Sequence, residues 1–132
     1  MTLEIKMIRK FVIKNKQERY ISFVSSVKNR AKFIAALPHF KDFQWDKFSE
    51  LYGNEYKYLS EITSRLKLLE GVSSLCYIVS EDSSIDTKSI DLFTIFNEHL
   101  LISGFATILV FGNADLIYYH DEQPDIYISK VA

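Results

Sequence analysis

The apolar residues of this chain change their period at Gly71, and that change bounds the folds open to it. Before Gly71 they recur at three- and four-residue spacing. After it they gather into short β-branched and aromatic runs. Helices followed by a run of strands make an α+β chain, since the repeated crossovers of an α/β sheet are missing. With 132 residues, 48% of them apolar, there is material for one core. The expected architecture is a single domain over residues 1–132, with a helical part at 1–71 and a sheet-containing part at 72–132. The N-terminal helices should pack on a small C-terminal mixed sheet of β-α-β-β-β order, making a two-layer sandwich.

Local signals place the elements. Tyr20, Phe23, Val24 and Val27 fall at i, i+3, i+4 and i+7 and predict a helix from about Asn15 with all four turned inward. A second helix should carry Lys28, Arg30 and Lys32 among Ala31, Phe33, Ile34 and Leu37. It should stop before Pro38, because the residue preceding a proline is pushed out of helical geometry. Trp45–Tyr52 reads as a short helix ended by Gly53. Glu55–Glu70 reads as the clearest helix, capped by Asn54, ended by Gly71, and buried through Leu59, Ile62, Leu66 and Leu69. Leu75–Val79 is apolar on both parities, as a strand buried on both sides is. Ser89 suits the cap of a helix across Ile90–Ile102 that turns Leu92, Phe93, Phe96 and Leu100 inward. Ala106–Phe111 and Leu116–His120 read as strands joined by a turn at 112–115, and Ile126–Lys130 as the last strand.

Several classes are excluded. Four Gly and two Pro are too few for a disordered or collagen-like chain. The single Cys76 leaves no internal disulfide framework. No apolar run is long enough to span a bilayer, and Met1–Met7 alternates charged and apolar residues without a secretory core. A cytoplasmic protein with no membrane contact is the expectation.

The formal charge of −1 conceals a division. Residues 1–70 hold 14 Lys and Arg against 8 Asp and Glu, whereas residues 71–132 hold 2 against 9. Charge segregated in this way points toward a charged partner. The basic stretch offers Lys10, Lys14, Lys16, Arg19, Lys28, Arg30 and Lys32 as a surface for nucleic-acid phosphates. The acidic half offers Glu81, Asp82 and Asp86 in one loop and Asp121 and Glu122 in another. Tyr119 stands beside them as an aromatic anchor for a basic protein.

Catalytic motifs are lacking. The glycines at 53, 71, 104 and 112 are isolated, so there is no phosphate loop, and Ser83 and Ser84 sit in no nucleophile elbow. His39, His99 and His120 have no metal-ligand spacing, and the expectation is no metal and no cofactor. His120 and Asp121 should point to opposite faces of their strand. Cys76 lies in the most apolar strand, where a thiol behaves as a small hydrophobe.

Gln17-Glu18-Arg19-Tyr20, Arg30–Phe33 with Leu37–Asp42, the Cys76–Glu81 strand and Tyr118–Pro124 together resemble a group of small bacterial proteins without an assigned activity. The resemblance covers most of the chain. It implies a bacterial single-domain α+β protein and carries no catalytic residue across.

The first functional expectation is a non-enzymatic protein-interaction module, an inhibitor, immunity or accessory protein, binding a basic partner through Glu81, Asp82, Asp86, Tyr119, Asp121 and Glu122. The alternative is nucleic-acid binding through the basic helices. A third is an enzyme with a site near His120, Asp121 and Cys76. A homo-oligomer that sets basic helices against acidic loops is a further form the partner can take.

Overall fold

A computed structural model describes residues 2–100 and 104–131, the backbone alone at 99 and 100. The protein is α+β. Helices α1 (Leu3–Phe11), α2 (Lys14–Val24) and α3 (Arg30–Ala35) come first, then β1 (Phe48–Glu50) and α4 (Glu55–Lys67). Strands β2 (Leu75–Ser80) and β3 (Ser89–Asp91) precede α5 (Leu92–Ile95), which runs on as a π-helical turn through Leu100. Strands β4 (Thr107–Phe111), β5 (Leu116–His120) and β6 (Ile126–Ser129) complete the chain.

The six strands form one sheet in the order β1-β6-β5-β4-β2-β3, and every neighbouring pair is antiparallel. The expected mixed sheet is therefore corrected. Strand β3 is the cause. It reverses the chain directly after β2, so the crossover through α5 joins β3 to β4, two strands that run in one direction with β2 between them.

The sheet is also covered on both faces, not on one. Val79, Ile108, Val110, Ile117 and Tyr119 share a core with Met7, Ile8 and Phe11 of α1, Tyr20 of α2 and Phe33 of α3. Cys76, Ile78, Leu109, Phe111, Leu116, Tyr118, Ile126 and Ile128 share the other with Tyr58, Ile62 and Leu66 of α4 and Leu92 and Ile95 of α5. The register produces this division. Val79, Ile108 and Tyr119 are in line, as are Ile78, Leu109 and Tyr118, and alternate residues of a strand face opposite ways. A sheet apolar on both parities requires two covering layers.

Helix α4 starts as its sequence predicts but stops at Lys67, short of the expected Glu70, with Leu68 as its C-cap. Asn54 accepts from the Lys57 N–H at 3.2 Å, and Gly71 takes a positive φ of 75° beyond the helix end. Helix α1 was hidden by its short charged alternation. Glu4, Met7, Ile8 and Phe11 form its buried stripe, and the Thr2 hydroxyl caps it by accepting from the Ile5 N–H. The α2 stripe ends at Val24, because the chain turns and leaves Val27 99% exposed. Trp45–Lys47 is a single 3-10 turn, and Phe48–Glu50 pairs with Ser129–Tyr127 as an edge strand where a helix was expected. Ser89–Asp91 is likewise a strand, and Asp91 replaces Ser89 as the cap, accepting from the Phe93 N–H at 3.1 Å. Phe93 is exposed. The expected burial of Leu100 and the helix end at Ile102 lie outside the described residues.

Candidate functional site

The two charged halves meet at Arg30. Its guanidinium holds Glu4 Oε1 and Oε2 at 3.0 and 2.9 Å and Asp86 Oδ2 and Oδ1 at 2.5 and 3.0 Å. The Tyr77 hydroxyl donates to Glu4 at 2.6 Å, and Asp86 accepts from the Ser80 N–H at 3.0 Å. The three charged side chains keep 18%, 8% and 17% of their surface exposed. The carboxylates of Asp86 and Glu4 push the Arg30 pKa further up, and burial together with Glu4 raises that of Tyr77. Arg30 and Asp86, expected on two different binding faces, are partners of each other.

Three of the remaining loop acids are also engaged. Glu81 accepts from the Ala106 N–H at 2.9 Å, and Asp82 accepts from the Ser84 N–H and hydroxyl at 3.0 and 2.7 Å. Asp121 accepts from the His39 N–H at 2.7 Å. Tyr119 is fully buried, so the expected aromatic anchor is not on the surface. Its hydroxyl donates to the Leu37 carbonyl at 2.6 Å and accepts from the Phe40 N–H at 3.1 Å, tying β5 to the connector after α3. Of the six residues expected to form the acidic face, Glu122 is exposed, and its carbonyl accepts from the Asp125 N–H at 2.7 Å while its carboxylate is in no ion pair among the described residues.

The basic face fares differently. Arg30 is paired, and the Lys10 ammonium donates to the Ala114 carbonyl at 3.0 Å. Lys14, Lys16, Arg19, Lys28 and Lys32 have no carboxylate within ion-pair distance among the described residues. Four of these are exposed and Lys16 is half-buried. The Arg19 guanidinium and the Lys32 ammonium both lie over the Phe23 ring, at 5.6 and 5.7 Å from its centroid. One cation of α2 and one of α3 are thus held by the same aromatic ring.

The grouping expected for an enzyme does not assemble. His120 faces α4, with its Nδ1 2.7 Å from the Tyr118 hydroxyl and its ring against Tyr58. Asp121 turns to the opposite side, toward His39. Cys76 pairs with Phe111, whereas His120 pairs with Thr107 four residues along β4, roughly 13 Å away at strand spacing. Burial lowers the His120 pKa to about 4 and pushes the Cys76 thiol up to about 12. At neutral pH both groups are uncharged. Two open depressions of about 440 and 420 Å³ flank the β1–β6 edge, and neither is lined by these residues.

A different cluster does form. His39 Nδ1 lies 2.5 Å from Asp125 Oδ2 and 3.4 Å from Asp121 Oδ2. These carboxylates raise the His39 pKa, Asp125 by its hydrogen bond and Asp121 by its charge. His39 is 86 residues from Asp125, and no spacing rule links them. The local signal is slight: His39 takes φ = 51° after Pro38, which turns the connector toward the β5–β6 loop.

No protein-family model, no curated protein and no solved structure matches this chain at a significant level.

Proposed function

We propose that this protein is a non-catalytic binding module that takes the phosphate backbone of a nucleic acid on the cationic face of α2 and α3. One observation carries this reading: Asp86 is ion-paired and Glu81, Asp82 and Asp121 accept hydrogen bonds from their own chain, whereas Lys14, Lys16, Arg19, Lys28 and Lys32 have no carboxylate partner among the described residues. Unpaired cations on α2, on α3 and on the turn between them suit a ligand of repeating negative charge, which needs no pocket. The half-buried Phe23 ring under Arg19 and Lys32 fixes two of them without neutralising either. A basic protein docking on the acidic loops has less support, because Tyr119 is buried and Asp86 and Asp121 already have partners.

Binding of a labelled DNA or RNA duplex, followed across salt, tests the proposal. Five cations neutralising five phosphates give a slope of log K against log salt of about −4.5. The exposed pair Arg19→Glu and Lys32→Glu should abolish binding and leave the circular dichroism unchanged. No binding at low salt, or equal binding by the double variant, removes this reading.

A further inference from the structure

We propose that His39 Nδ1 and one carboxylate oxygen each from Asp121 and Asp125 form a site for a single zinc-class divalent cation, where the connector after α3 meets the β5–β6 turn. The site is separate from the α2–α3 cationic face and does not depend on it.

The first support is geometric. One ligand atom from each residue lies within 4.8 Å of the other two. Zinc holds nitrogen and oxygen ligands at about 2.0–2.2 Å, so tetrahedral neighbours stand about 3.4 Å apart. His39 Nδ1 already stands 3.4 Å from Asp121 Oδ2. Its 2.5 Å contact with Asp125 has only to open by about 1 Å.

The second support is an enclosed carboxylate at the edge of the cluster. The Asp121 side chain is only 6% exposed. Its Oδ2 accepts the His39 backbone N–H, a neutral donor, and the Tyr119 hydroxyl 3.3 Å away gives its proton to Leu37. The proton on His39 Nδ1 goes to Asp125 at the shorter distance. Asp121 Oδ1 takes no hydrogen bond among the described residues. Its charged neighbour among the described residues is the His39 ring, 3.4 Å away, and a dication bound between them would give this carboxylate a fuller countercharge.

The donor set selects the metal class. One imidazole nitrogen with two carboxylate oxygens suits zinc, whereas calcium and magnesium want six or more oxygens. Neutral His39 with two carboxylates balances a dication. Its ring is 59% exposed, which leaves the fourth coordination position to water.

Calorimetric titration of the whole chain with zinc chloride, after removal of metals with EDTA, tests this at pH 7.5. One zinc per chain with micromolar affinity is expected, and neither magnesium nor calcium should compete. His39→Asn, which tolerates the left-handed backbone, and Asp125→Asn should each weaken binding at least tenfold. In the unaltered chain, zinc should shift the His39 ring resonances and leave those of His120 in place, a readout that survives if a variant fails to fold. Binding weaker than about 100 µM, full affinity in both variants, a shift confined to another histidine, or magnesium bound as tightly as zinc would each overturn the proposal.

Discussion

Arg30 grips Asp86 through two guanidinium nitrogens, at 2.5 and 3.0 Å, across 56 residues of chain. The same guanidinium holds Glu4 of α1, so one side chain joins α1, α3 and the loop after β2. Bidentate contacts of this kind are the stronger sort of ion pair, and these are largely withdrawn from water.

Removing the cation should therefore cost more than the pair contributes. Arg30→Met leaves Glu4 and Asp86 enclosed without a countercharge, and a loss of about 3 kcal/mol is expected. Urea unfolding measures it. Arg30→Met combined with Glu4→Gln and Asp86→Asn should recover part of the loss. A single variant within 0.5 kcal/mol of the parent, roughly the range of an ordinary surface change, would show that the clamp is not structural.

Acid should destabilise the fold through His120. Its folded pKa is lowered to about 4 from 6.5, so the unfolded chain takes up the proton first as pH falls. Stability contributed by the neutral ring is present above pH 6.5, declines below it and is lost below about 4, on the order of 3 kcal/mol in all. Histidine ring resonances followed from pH 7.5 to 3.5 should give a midpoint near 4 for His120; a midpoint near 6.5 would contradict its burial against Tyr118.

His39 should act in the opposite sense. Its folded pKa is raised, by Asp125 first and Asp121 second. The stabilisation is complete below the unfolded value of 6.5 and disappears as pH rises through the raised folded value. Thermal unfolding of Asp125→Asn and the parent should differ most below pH 6 and converge as pH rises through the raised folded value. A difference that is constant with pH would separate Asp125 from the charge on His39.

Cys76 should be inert in the native protein. Burial pushes its thiol up to about 12, and its sulfur donates to the Ile90 carbonyl at 3.1 Å. Labelling by a thiol reagent at pH 7.5 should proceed at the rate of unfolding and quicken with urea. Rapid stoichiometric labelling without denaturant would place the sulfur at the surface.

The candidate sites were legible in the sequence only as residue types. The cations of α2 and α3 were visible as a basic run, yet which of them remain unpaired depended on Arg30 reaching Asp86. The opposite facing of His120 and Asp121 followed from strand alternation alone. The joining of His39 to Asp121 and Asp125 had no local signature, since it spans 82 and 86 residues.

By itself the sequence determined the elements whose own residues carry both a period and a stop. Helix α4 has its Asn54 cap, its Ile62 and Leu66 stripe and Gly71 beyond it. Strand β2 is apolar on both parities and reads as buried from its sequence, while the second covering layer emerged only from the tertiary structure. Tertiary structure alone decided β1 and β3, three-residue strands too short to show a period and held in place by Ser129–Tyr127 and by Tyr77–Leu75. It decided the antiparallel sheet through β3, and the charge pairing through the register that followed. Local backbone preference acts over a few residues, whereas charges far apart in the chain meet only after the strands have aligned and the core has closed.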